Sequence, residues 1–449
     1  MDTFDLVLRG GTLVSPSGRR RADLAIRGGR IAAVEQSVDP GQAPVVDVSG
    51  TFVLPGLIDA HVHPIHGETF ASVSEAAAFG GVTTVLHHVY PEPKRSLWDW
   101  LVAAHSEASM QSSVDFGFHA RLRADSPEHL DELGRVAAFG VRSFKVFLSY
   151  SAPGVAVRAG DLPSLLEAVR TVRGLLLVHA EDQTAIEASD GVVDSTAYAP
   201  DDYLRARAPS VEANAVAAAA ATAREIGVPI YFVHVSGADA MSAIDASRRR
   251  GAKVFAETCP HYLLLEAEDA LRRFGARAKI APPLRTNNDR RTLWTALADG
   301  RIDTIASDHC GYDRAEKEPT AVSFRAAGFG APGIETMLPL MFDAALDGAI
   351  SLERLVDLLA ESPARIFGLA QKGRLEVGRD ADLVIVDPGT TRIIAGAGQH
   401  GAAYYSLYEG RKVQGSIQGV YLRGEAIISE GNACGTGPAG TFLRVRPVV

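Results

Sequence analysis

The sequence predicts a mixed α/β protein, a (β/α)8 TIM barrel joined to a small β-sandwich that is built from both ends of the chain. Three observations predict it. Eight short apolar stretches alternate with helix-like ones through the middle of the 449 residues, both ends carry short strands punctuated by glycine, and the polar residues of the apolar stretches gather at their C-terminal ends.

The N-terminal candidate strands are residues 4–8, 12–14, 22–26, 30–34 and 45–47, separated by Gly10-Gly11, Gly28-Gly29 and Pro40-Gly41. Short strands between glycine turns read as a sandwich or open sheet. The same texture returns at 381–386, 413–417 and 419–422. The expected division is therefore a sandwich from 1–54 and 373–449 around a barrel at 55–372. Within the barrel the candidate strands are 57–63, 83–87, 115–121, 143–147, 175–179, 230–235, 253–257 and 303–307, with helix-like stretches such as 73–79, 127–139, 213–225 and 290–298 between them. Eight strands alternating with helices is the count such a barrel requires. A doubly wound open sheet is the alternative, and no G-x-G-x-x-G turn follows the first strand to support it.

Composition narrows the function. With 54 acidic and 45 basic side chains the net charge is −9, without the dense Lys/Arg footprint that nucleic acid or an anionic membrane demands. The expected partner is a small molecule. Residues 1–17 show no basic region followed by a long apolar run, and apolar stretches such as 215–221 fall short of the ~20 residues of a membrane span, so a cytoplasmic protein is expected. Three scattered cysteines, Cys259, Cys310 and Cys434, cannot build a disulfide framework or a thiolate cage. Any metal must be held by imidazole and carboxylate.

Side chains at i and i+2 share a face of a strand, and the C-terminal ends of barrel strands line the active site. His61 and His63 close the first strand as an H-x-H pair. Lys145 lies late in the fourth, His179 closes the fifth, His234 ends the sixth and Asp308 follows the eighth. Any one of these is commonplace, whereas six potential ligands in register at one mouth are a metal-centre signal. Lys145 is flanked by Phe144, Val146 and Phe147, so its ammonium must lose its proton or find a carboxylate partner. A neutral amine can take up CO2, and the resulting carbamate has two oxygens with which to bridge two divalent ions.

The run Leu54-Pro55-Gly56-Leu57-Ile58-Asp59-Ala60-His61-Val62-His63, together with Ser143-Phe144-Lys145-Val146-Phe147, His179-Ala180-Glu181, His234-Val235-Ser236 and Ser307-Asp308-His309-Cys310, resembles the cyclic amidohydrolases: hydantoinases (dihydropyrimidinases), allantoinases and dihydroorotases. The likeness runs to Gly378-Arg379-Asp380-Ala381-Asp382-Leu383, similar to that family's return into its sandwich, and residues 115–119 and 145–150 lean toward the hydantoinase branch. The resemblance implies one metal on His61, His63 and Asp308, a second on His179 and His234, usually zinc, and carboxylated Lys145 as the bridge. It implies Asp308 as general base and acid around an attacking hydroxide, Tyr150 as the group that steadies the oxyanion, and self-association as a tetramer or dimer. Pro64-Ile65-His66-Gly67-Glu68 holds no arginine soon after H-x-H, which speaks against a dihydroorotase. Ala281 stands where hydantoinases typically carry serine, and Phe329 where they carry asparagine.

Other histidines leave alternatives open. His87 or His88 is a candidate to face the pocket; His119 either supports a ligand or packs in the core; His66 is a pocket-wall candidate; His261 is expected to be structural. Glu181 lies either behind the ligands or on the surface. Two rivals from other classes are a scaffold without catalysis on the same fold, which the complete ligand set opposes, and a deaminase, which Lys145 opposes.

Overall fold

The structure, a computed structural model, describes residues 4–150, 154–191, 198–318, 324–396, 398–435 and 437–447. Its middle is a ring of parallel strands at Leu57–His63, Val82–Val89, Asp115–Arg121, Ser143–Phe147, Leu175–His179, Ile230–Phe232, Val254–Thr258 and Thr304–Ile305, each paired with the next in chain order. The eighth strand is interrupted. Its first half pairs with the seventh, Thr304 opposite Glu257, and its second half, His309–Cys310, pairs with the first, Cys310 opposite His63. Two halves of one strand thus close the sheet on itself, and Asp308 sits in the break between them.

The strands run as nearly unbroken buried stretches of Val, Leu, Ile and Phe, as both faces of a parallel sheet demand. Helices cover the outer face for local reasons. Pro209–Ile226 begins with proline at a first-turn position, continues through good helix formers and stops at Gly227, whose φ of 79° suits only a residue without Cβ. Its Ala219, Ala220 and Ala223 turn inward. No helix of the described residues is long and apolar enough to cross a membrane.

The chain ends form a second, mixed sheet. Residues 4–8 and 12–14, expected as two strands, are one strand, Leu6–Ser15, with a bulge between Leu8 and Gly11. Glycine there serves a bulge, not a turn. Likewise 413–417 and 419–422 belong to one strand, Lys412–Leu422. Phe52–Pro55, absent from the expected elements, joins the two halves: Thr12 pairs with Phe52 in parallel, and Leu383 with Pro55 antiparallel. This sheet keeps its own apolar cluster around Leu24, Val53 and Leu383. Gly56 then carries the chain into the first barrel strand, where any Cβ would strike the Thr83 hydroxyl at 2.2 Å.

Where sheet and barrel meet, the ammonium of Lys372 is 2% exposed and lies 2.5 Å from Asp115, 2.6 Å from Asp382 and 3.0 Å from Asp380. These carboxylates hold it charged despite its burial. Asp115 also accepts a hydrogen bond from the Thr441 amide at 2.8 Å, and the Leu443 amide donates to the Phe116 carbonyl at 2.7 Å, so residues 441–443 lie along the third barrel strand. Lys372→Met leaves buried carboxylates uncompensated and is expected to cost about 3–5 kcal/mol of stability. Denaturant unfolding measures it, and a loss below about 1 kcal/mol would contradict the assignment.

Candidate active site

Period-two alternation decides which side chains enter the barrel. On the first strand a register shift between Asp59 and Val62 lets His61 and His63 both face inward; on the second, His88 faces inward and His87 outward, with its ring 4.9 Å from Phe70 in the helix layer. Lys145, His179, His234, Glu257 and Asp308 complete the inward set at the C-terminal end. Ligand atoms of His61, His63 and Asp308 lie within 4.8 Å of one another.

Asp308 Oδ1 is 2.9 Å from His63 Nε2 and 3.2 Å from His61 Nε2. Behind His61, Glu257 Oε1 lies 2.6 Å from Nδ1 and takes that N–H, which leaves the Nε2 lone pair turned toward Asp308. A lone pair facing a carboxylate is repulsive unless a cation lies between them. The backbone reinforces the placement. Asp59 accepts from the amides of His61 at 3.2 Å and Ser307 at 3.1 Å, tying the first strand to the residue before Asp308. Asp308 itself has φ 49°, a conformation that side chains other than glycine avoid and that persists where the surroundings over-determine it.

The second pair is built the same way. Glu181 lies 2.8 Å from His179 Nε2 and is ion-paired with Arg207; His179 Nδ1 then meets His234 Nε2 at 2.9 Å. His234, at φ 43°, has no partner on Nδ1 among the described residues. Burial drives His61 and His234 well below the usual imidazole pKa, toward the neutral form that binds metals. Carboxylates behind ligating histidines are the usual way of fixing tautomer and ring orientation.

Lys145 is 0% exposed and its Nζ has no hydrogen-bond partner among the described residues. Burial brings it down to about 7, with Glu257 and Asp308 opposing the shift. The expected strand interior is observed, but no carboxylate bonds to the amine. An amine of that pKa is substantially unprotonated at neutral pH, the form that takes up CO2. Convergent imidazoles and a carboxylate around an orphaned Nζ make a donor set that fits divalent metal.

The cavity above these groups is narrow, about 60 Å³, and is lined by His61, His63, His179, His234 and Asp308 at its floor. Tyr150 lines it; its amide donates to Gln183 at 2.9 Å, and burial raises its phenol pKa so that the proton stays on. Of the histidines left open, His119 donates and accepts internally, to the Ser143 hydroxyl at 2.6 Å and the Ala60 carbonyl at 2.9 Å. His88 stacks within 4.9 Å of His63, both nitrogens unpartnered. His66 stays outside the cavity, stacked on the wall residue Tyr312 at 4.0 Å, and His261 is buried against Tyr262. Glu181 is fully enclosed behind a histidine. The sequence reading misses Glu257, although its place at the end of the seventh strand carries the same signal as the ligands.

It also misses two buried lysines that hold the cavity wall. Lys279 Nζ donates to the carbonyls of Phe324, Arg325 and Ala327 at 2.8–2.9 Å, and Lys317 Nζ to those of Lys279, Gly328 and Gly330 at 2.5–2.9 Å. Phe329 and Gly330 are cavity-lining residues. Lys317→Met leaves three carbonyls without their donor, so amides of 327–330 are expected to exchange hydrogen roughly tenfold faster with the barrel strands unchanged. Mass-spectrometric exchange reads this directly, and unaltered rates at 327–330 would contradict the latch.

Comparison with known proteins adds three findings. The model of the amidohydrolase family matches residues 52–427. A D-hydantoinase of Ralstonia pickettii is 36% identical over 99% of both chains, and an allantoinase of Rubrobacter xylanophilus is 36% identical over 99% of this chain and 98% of that one. Among solved structures, a D-hydantoinase superposes with a TM-score of 0.94 at 36% identity over 99% of each chain.

Proposed function

The chain belongs to the amidohydrolase family, and we propose that it opens a cyclic amide, a hydantoin, dihydropyrimidine or related ureide or imide ring, by attack of water at a ring carbonyl. The observation that carries the reading is the convergence of His61, His63, Lys145, His179, His234 and Asp308 on one barrel mouth. Hydantoins come first as substrates. Allantoin stays in view because allantoinases match at the same 36% identity as the hydantoinase.

Two divalent cations, zinc in our reading, would be held by His61, His63 and Asp308 on one side and His179 and His234 on the other. Lys145 would join them after its amine adds to CO2, forming an N–C bond and releasing a proton. Bound there, the cations would polarise the ring carbonyl and bring the pKa of water from 15.7 to about 7. Asp308 takes the proton from the attacking water and delivers it to the ring nitrogen as the C–N bond breaks. Tyr150, protonated, donates to the carbonyl oxygen as negative charge grows on it. Glu257 and Glu181 keep His61 and His179 in the tautomers that present a lone pair to the cavity. The product of a hydantoin is a carboxylate bearing a free carbamoyl group.

In the same reading residues 55–372 form the catalytic barrel and 1–54 with 373–449 the accessory sheet, working in the cytoplasm as a homo-oligomer, a tetramer or dimer. Removing the amine tests the bridge. Lys145→Ala is expected to lower bound metal from two ions per chain to one or none, and to abolish ring opening of a cyclic-amide panel followed by ultraviolet absorbance. Asp308→Asn is expected to lower kcat by about 10²–10⁴. A Lys145→Ala protein with full metal content and undiminished turnover refutes the bridging role. A wild-type chain that binds no metal returns the scaffold reading.

A further inference from the structure

Four arginines are buried among the described residues, Arg121, Arg123, Arg207 and Arg285. Three carry a carboxylate each. Arg123 binds Asp125 through two nitrogens at 2.7 and 2.8 Å, Arg207 is paired with Glu181, and Arg285 lies 3.3 Å from Glu212. Arg121, 6% exposed, has neither an ion pair nor a hydrogen bond among the described residues, and its Nε is enclosed without an acceptor there. A guanidinium does not deprotonate in a protein, so this is a full positive charge left uncompensated.

Its position is as informative as its isolation. Arg121 ends the third barrel strand two residues past His119, which faces the barrel interior, so it occupies the next inward position toward the mouth. It pairs in register with Lys145. Its guanidinium lies 4.6 Å over the ring of Tyr90, whose hydroxyl is hydrogen-bonded to His63 Nδ1. Tyr90 and Tyr150 both line the cavity, and the charge of Arg121 acts on both phenols. Stacking on Tyr90 holds the guanidinium in place but leaves its hydrogen-bonding donors unused. The anion that the other three buried arginines find is missing here among the described residues, and Arg121 stands directly behind Tyr90 in the cavity wall.

We propose that Arg121 is a specificity residue that meets a carboxylate on the ring substituent of the substrate between Tyr90 and Tyr150, so that the preferred substrate is an anionic cyclic ureide or imide. This rests on the cyclic-amide reading above and names the substrate class within it. A charge-assisted contact of this kind rewards the carboxylate and not an uncharged group of the same shape.

The test compares carboxymethyl-hydantoin with carbamoylmethyl-hydantoin, which match in size and differ by one negative charge, using the metal-loaded full chain. The wild type is expected to favour the carboxylate by roughly tenfold or more in kcat/KM, mainly through KM, and added salt is expected to shrink that preference. Arg121→Gln is expected to bring the ratio to about one, and Arg121→Lys to keep part of it. Because the readout is a ratio within each protein, general damage to the site does not mimic the result. Should the Gln variant fail to fold, the Lys variant and the salt dependence of the wild type carry the same comparison. Equal use of both compounds by the wild type, a preference for the amide, or a ratio unchanged in Arg121→Gln overturns the proposal. Turnover of both rings without discrimination removes only the role of Arg121, whereas failure of the wild type to open either ring overturns the cyclic-amide reading and this inference with it.

Discussion

Ionisable groups packed where water does not reach are the constraint on which the barrel mouth depends. A buried polar atom without a partner costs about 1–3 kcal/mol, and an uncompensated ion several times that. The chain meets this cost in two ways. Glu181, Asp115, Glu212 and Lys372 keep their charge, and each has an opposite charge against it. His234 and Lys145 have no carboxylate bonded to them among the described residues, and burial pushes both, and His61 as well, toward their neutral forms. Neutral imidazole is the state in which a histidine can bind metal, and neutral amine the state in which a lysine can add CO2. The burial that makes the site expensive is what makes its residues reactive.

The same economy of means governs the backbone. Closing an eight-stranded ring requires the last strand to reach both its neighbours, and here it does so by breaking between Ile305 and His309. Asp308 occupies the break in a left-handed conformation and is fixed from both sides. Asp59 grips the amide of Ser307 before it, and after it His309 accepts from the Gly333 amide at 3.1 Å while donating to Glu68 at 3.1 Å. The strain at Asp308 and at His234 falls on residues whose carboxylate and imidazole converge on the cavity, where precise aim is worth about the 1–3 kcal/mol that such a conformation costs.

Much of this was legible in the sequence, because it rests on local pattern. The barrel strands from residues 57 to 179 match the expected stretches closely, since β-branched runs bounded by turns specify strands without help from elsewhere. The end strands were less legible. Gly10-Gly11 reads as a turn, and only the partner strand shows that it is a bulge. Phe52–Pro55 is short and becomes a strand by pairing with residues more than three hundred positions away. Among site residues, the histidines and Lys145 stood out because such groups are conspicuous in apolar strands. Glu181 was ambiguous until Arg207 was placed beside it, and Lys279 and Lys317 look like ordinary surface lysines until their six carbonyl partners are known. Distant contacts, not local propensity, decide such residues.

That division explains why the reaction is easier to derive than the substrate. The groups proposed to activate water stand on or directly after barrel strands, whose register fixes them to one another whatever the loops do. The groups that select a ring stand on or against connecting segments: Tyr90 just past the second strand, Tyr150 past the fourth, and Phe329 and Gly330 on a stretch held by two lysines. Their sequence carries little local signal, yet electrostatics still constrains what they accept. Phe329, Tyr90 and Tyr150 wall part of the cavity with apolar and phenolic surface, and Arg121, stacked on Tyr90, sets beside that surface a charge that has no ion pair among the described residues. On the proposal made for Arg121, selectivity follows from a charge without a partner among the described residues, and the chemistry from the groups that burial neutralises.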